Sequence, residues 1–180
     1  FFSLNPKVDD IPDRFSKERD GVKLLVMGTV QQGGSGCICP ESTILKALMN
    51  HLVLFRDEVV LMDMEAGVEH LGRGTSGAMD ALIIVVNPGK RSRVAAEKIR
   101  RLGTDIGIKT IYVLGNRIKT PEDKEIITES MKDFHILGFL EETEEISNAD
   151  RLGTRPYENI ADVPADLKEI SQTLLQLPAK

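Results

Sequence analysis

Ala81-Leu82-Ile83-Ile84-Val85-Val86, then Asn87-Pro88-Gly89, then a helical pattern from Lys90 to Leu102, then Lys109-Thr110-Ile111-Tyr112-Val113-Leu114: this passage decides the fold. Two aliphatic, β-branched runs are too short for helices and too continuously apolar for half-exposed strands, so they read as strands buried on both faces. A helix of about a dozen residues between two such strands is the crossover of a parallel βαβ unit.

Working outward, the same alternation extends over most of the chain. Further strand-like runs are Val22-Lys23-Leu24-Leu25-Val26-Met27, Glu58-Val59-Val60-Leu61-Met62 and Phe134-His135-Ile136-Leu137-Gly138-Phe139. Helical patterns cover Glu41 to Leu54, Pro121 to Lys132 and about Ala161 to Leu177. Thr120 stands as N-cap before Pro121, and Glu122 and Asp123 fall in the first turn, where the helix dipole favours anions. Gly103 and Gly107 are read as ending the preceding helix and its loop. The acidic segment Glu141 to Asp150 reads as a loop leading into a short helix, and Arg151 to Tyr157 as a surface loop. The expectation is an α/β fold, three-layered, with a mostly parallel sheet flanked by helices and its functional loops at the carboxyl ends of the strands.

The 180 residues suit a single domain, with Phe1 to Asp20 as a polar connector and Gly21 to Lys180 as the α/β body. With 23 Lys+Arg against 28 Asp+Glu the formal charge is −5, so no cationic footprint for nucleic acid or anionic membrane is expected. No run reaches the roughly 18 apolar residues of a membrane span, and the opening residues lack the pattern of a signal peptide, so the expected location is cytoplasmic. The two cysteines, Cys37 and Cys39, are too close for an ordinary disulfide and read as thiols.

Several loops could carry chemistry. The run Val59-Val60-Leu61-Met62 ends in Asp63, the Walker B arrangement in which a carboxylate holds Mg²⁺ or its waters; an Asp there also caps ordinary turns. Gly67 would let a backbone N–H approach a γ-phosphate. The glycine-rich loop Gly28 to Gly36 lacks the Lys and Ser/Thr of a P-loop and is read as a mobile loop delivering the cysteines. In extended backbone Cys37 and Cys39 point to one side and offer two thiolates; a two-fold dimer would close a Cys₄ site, whereas alone they are two unliganded thiols. Asn116, in Val113-Leu114-Gly115-Asn116-Arg117-Ile118, can pair with a purine edge or serve as a turn residue. Lys90, Arg91 and Arg93 crowd a helix start, the wrong end for cations, which suggests contact with an anion or a partner, although a solvated basic face is the default reading. Of the histidines, His135 inside an apolar run reads as a core residue, and His51 and His70 show no ligand spacing.

Together, Asp63-Met64-Glu65-Ala66-Gly67-Val68-Glu69-His70-Leu71-Gly72-Arg73-Gly74, the Cys37-x-Cys39 pair, Asn87-Pro88 with Ser92, and Gly115-Asn116-Arg117 resemble the CooC family. These are MinD/NifH-type deviant P-loop ATPases associated with nickel insertion into carbon monoxide dehydrogenase. The resemblance covers essentially the whole chain. It implies Asp63 as the Mg²⁺-linked switch acid and Gly67 as the γ-phosphate-sensing glycine. It implies Cys37 and Cys39 as nickel or zinc ligands across a homodimer, and Asn116 as the adenine-reading side chain. Arg117 stands where related ATPases often have Lys. ATP/ADP, Mg²⁺ and nickel or zinc are the implied cofactors, and carbon monoxide dehydrogenase the implied client. The family's strand, lysine-containing P-loop and helix have no counterpart here, so this chain is expected to be the C-terminal portion of the ATPase domain and inactive alone. The alternatives are a non-hydrolysing metal-binding scaffold, or a related ATPase with a different client.

Overall fold

The computed structural model describes residues 11–26, 47–48, 59–64, 79–154 and 165–176. It divides into two compact units, residues 1–78 and 79–180.

In the second unit the βαβ reading of residues 81–114 is realised. Strand β3 (Leu82–Val86) is followed by helix α2 (Lys90–Asp105), β4 (Ile111–Ile118), α3 (Pro121–Ser130), β5 (His135–Glu141), α4 (Glu144–Leu152) and α5 (Ala165–Leu175). The sheet order is β3-β4-β5 and both pairings are parallel. Val86, Gly115 and Phe139 lie side by side across the three strands. The core joins Ile84, Val86, Val113 and Ile118 of the sheet to Ala96, Ile127, Met131 and Phe134. Helices α2 and α3 therefore bury one face of the sheet. Helix α5 packs on the opposite face, because Gly138, adjacent to Phe139 and hence turned the other way, lies against Ile170.

Local chemistry explains where the elements start and stop. Helix α3 opens with a capping box: the Thr120 hydroxyl accepts from the Asp123 N–H, and the Asp123 carboxylate accepts from the Thr120 N–H. Thr143 caps α4 in the same sense by accepting from the Ile146 N–H, and Gly153 at φ 64° closes it in the left-handed conformation that glycine tolerates. Helix α2 runs past Gly103 to Asp105, contrary to the expected stop. Gly103 is buried within the helix because its bare Cα faces the Leu82 and Ile111 side chains, where a Cβ would sit 3.1 and 3.3 Å away. Gly107, at φ 93°, makes the turn instead.

Residues 11–26 belong to the first unit and correct two expectations. The expected connector contains α1 (Ile11–Phe15) and β1 (Lys17–Arg19), and β2 (Val22–Leu24) pairs antiparallel with β1 as a hairpin. Val22, Leu24 and Val26 are 70%, 60% and 78% exposed, so this run is not a buried parallel strand. Residues 59–64 form no regular strand either, and Val59 and Leu61 are exposed. A buried parallel strand needs a parallel hydrogen-bonded neighbour as well as apolar side chains, and neither run has a parallel one among the described residues. His135 is exposed at the first position of β5, its ring meeting Tyr112 edge-on at 6.3 Å, and is not a core residue. The Glu41 to Leu54 helix cannot be followed, since all but residues 47 and 48 lie outside those described.

Candidate functional site

The carboxyl edge of the sheet is where the topology gathers polar groups. β4 does not alternate regularly to its end: Gly115 pairs with Phe139 and Ile118 with Glu141, three steps on β4 against two on β5. The extra residue is a β-bulge at Asn116-Arg117, a device that re-aims side chains at functional edges. Arg117 has φ 58°, a left-handed conformation uncommon for a residue with a Cβ. Asn116 is half-buried and Arg117 exposed. Beyond the bulge the strands close again, the Glu142 N–H donating to the Ile118 carbonyl at 2.9 Å.

Near this closure lies a shallow, open depression of about 440 Å³ lined by Lys119, Glu142, Glu144, Ser147 and Asn148. Glu142 is held on two sides, 3.4 Å from the Lys119 ammonium and accepting from the Ser147 hydroxyl at 3.3 Å. Lys124 ties the end of β5 to α3 through Glu141 at 2.9 Å. With two carboxylates against one ammonium, the depression suits hydroxyl or amine donors of an uncharged group and disfavours phosphates, whose charge it would repel. The sequence reads Glu141 to Asp150 as an acidic loop and short helix, and by family resemblance Gly138 to Asp150 as the loop beside the base, without assigning a residue. The depression draws on the ends of β4 and β5 and the start of α4, so no local motif marks its individual residues.

Asp63 lies in the first unit, exposed and in irregular backbone. Gly67, Cys37 and Cys39 fall outside the described residues, as do the glycine-rich loop, His51 and His70. Asn116 and Arg117, adjacent in sequence, are the expected site residues that fall in the second unit, and neither is among the residues lining the depression. Among the described residues no helix is long and apolar enough to cross a membrane.

Known proteins resemble the chain in sequence and in fold. It is 46% identical over 157 residues to the carbon monoxide dehydrogenase accessory protein CooC of Rhodospirillum rubrum, covering 87% of this chain and 60% of that protein. It is 39% identical over 179 residues to an uncharacterized ATP-binding protein of Methanocaldococcus jannaschii, covering 98% of this chain and 69% of that protein. The chain thus spans roughly 60–69% of the length of these relatives. No family model matches. Among solved structures, the MinC:MinD cell division protein complex of Aquifex aeolicus matches with a TM-score of 0.58 and 22% identity, over 80% of this chain and 62% of that one. That likeness supports the P-loop NTPase-like α/β fold read from the sheet. By sequence relationship and fold together, the chain belongs to the CooC-type branch of the MinD/NifH-like deviant P-loop ATPases.

Proposed function

We propose that this chain forms the C-terminal portion of an ATP-dependent maturation factor that assists nickel insertion into carbon monoxide dehydrogenase. The observation that carries this reading is the 46% identity to a carbon monoxide dehydrogenase accessory protein. An ATP-binding relative matched over 98% of the chain supports the nucleotide part. In this reading Asn116, on its bulge, pairs with the adenine edge, and Glu142, Ser147 and Asn148 receive the ribose side. Arg117 supplies positive charge at the same edge. Asp63 holds Mg²⁺ or one of its waters, and the Gly67 N–H meets the γ-phosphate. Mg²⁺, when bound, offsets phosphate charge. The lysine-containing P-loop comes from the part of the relatives' length that this chain does not match.

Cys37 and Cys39 of two copies complete a four-thiolate site for the nickel cargo, or zinc in its place, so that dimer geometry and metal retention change with the nucleotide. The factor works in the cytoplasm as a homodimer. The test uses the intact protein. Asn116→Ala should weaken ADP binding about tenfold, the cost of a lost buried hydrogen bond, and Cys37→Ala should abolish nickel retention without altering ADP binding. Nickel content unchanged in Cys37→Ala, or ADP affinity unchanged in Asn116→Ala, would remove the corresponding part of the proposal.

A further inference from the structure

Helix α2 is charged against the trend of the chain. Its Lys90, Arg91, Arg93, Lys98, Arg100 and Arg101 outnumber Glu97 and Asp105 by four, in a protein whose formal charge is −5, so the remainder carries −9. The cations are not spread evenly around the helix. Ala96 and Gly103 are buried toward the sheet. Arg100 is half-buried, paired with Glu97 at 3.3 Å and placed 4.7 Å over the Phe134 ring. On the outward side, Lys90, Val94, Lys98 and Arg101 follow one another at spacings of four, four and three and form a single exposed stripe, with Arg91 beside it. The stripe is about 16 Å long at 1.5 Å per residue.

Lys90, Arg91, Lys98 and Arg101 form no ion pair among the described residues; the pair that α2 does make joins Arg100 to Glu97. The first turn contains no acid, and the Gly89 N-cap offers no side-chain acceptor, so its cations face the positive end of the helix dipole uncompensated. Val94 is 63% exposed at the centre of the stripe. An apolar centre rimmed by unpaired charge is the anatomy of a protein-docking patch. A lipid surface would require a broad apolar face, and that face of α2 is spent on the sheet. Against a nucleic-acid surface stands the formal charge of −5, which a polyanion would meet over the rest of the chain.

We propose that the outward stripe of α2 docks an acidic patch on the client enzyme. The proposal rests on the accessory role argued above. The remainder of the chain carries −9 and repels an acidic partner, so the stripe favours an approach onto α2 and raises its rate.

The experiment measures association of the intact protein with purified carbon monoxide dehydrogenase at low and raised salt. It compares wild type with the combined variant Lys90→Glu, Arg91→Glu, Lys98→Glu, Arg101→Glu. The variant should associate at least about tenfold more slowly and lose most of the salt dependence, with ADP binding retained. Should it fail to fold by circular dichroism, the milder pair Lys98→Gln and Arg101→Gln should still slow association severalfold. Client binding that ignores both variants overturns the docking surface and leaves the accessory role standing. No client binding by wild type overturns both. Stripe-dependent binding to phosphatidylserine vesicles or duplex DNA, with client binding unaffected, would reassign the surface.

Discussion

Replacing Gly115 by alanine is the sharpest perturbation of the sheet. A Cβ at this position would run into Cδ1 of the Phe139 ring, stand 2.9 Å from its Cε1 and 3.4 Å from Cδ1 of Ile127. The obstacle is a planar ring beside the core, with no flexible end to swing aside. Ordinary contact begins near 3.4 Å, so Phe139 must withdraw by at least half an ångström or β4 must bow away. The displaced ring presses on the neighbours behind it, and overpacking of this kind costs about 1–3 kcal/mol. For a urea m value of about 1.5 kcal/mol/M, 2 kcal/mol lowers the unfolding midpoint by about 1.3 M. The assay is equilibrium urea unfolding of wild type, Gly115→Ala, Phe139→Leu and the double variant. Because the smaller side chain makes room for the methyl, the double variant should be more stable than the sum of the single changes allows, with a coupling of about 1 kcal/mol. An unchanged midpoint for Gly115→Ala, or strict additivity with Phe139→Leu, would refute the steric account.

Arg117→Gly should stabilise the protein by about 1 kcal/mol, since glycine accepts the left-handed backbone at no steric cost; a lower melting temperature would show that the Arg side chain holds the bulge. The Glu122 carboxyl is held below its ordinary value by its backbone hydrogen bond and by Thr120. A depressed folded value means a stabilisation present above the unfolded value near 4.5 and lost as pH falls through the folded one. The melting temperature of wild type should therefore fall more steeply on acidification than that of Glu122→Gln, and parallel curves would contradict this. Thr120→Ala, which removes the cap, should cost about 1 kcal/mol at neutral pH, with helix loss seen in circular dichroism.

The three parallel strands were legible because their aliphatic runs are separated by helices with explicit punctuation, and Thr120-Pro121 marks α3 to the residue. Two other apolar runs misled for one physical reason. Val22-Lys23-Leu24 and Val59-Val60-Leu61 state that their side chains favour burial but not which neighbour covers them, and in the structure none does among the described residues. The bulge at Asn116-Arg117 escaped because an extra residue in a strand leaves no mark on a segment already mixed in polarity. Asn116 itself is conspicuous in the sequence, as an amide at the carboxyl end of an apolar run, and the structure places it at the sheet's carboxyl edge. Lys119, Glu142, Ser147 and Asn148 were missed because they meet only when β4, β5 and α4 are folded together.

β4 is flanked by a parallel neighbour on each side, and its Val113 and Ile118 belong to the buried cluster. Its amides should exchange with solvent deuterium only through opening of the whole unit, whereas those of the exposed β1–β2 hairpin should exchange through small local excursions. The position of Asn116 is thus set by the central strand of its sheet, which opens only with the rest of the unit. A group arriving at that edge meets a backbone already ordered, and little of its binding energy is diverted into arranging the receptor.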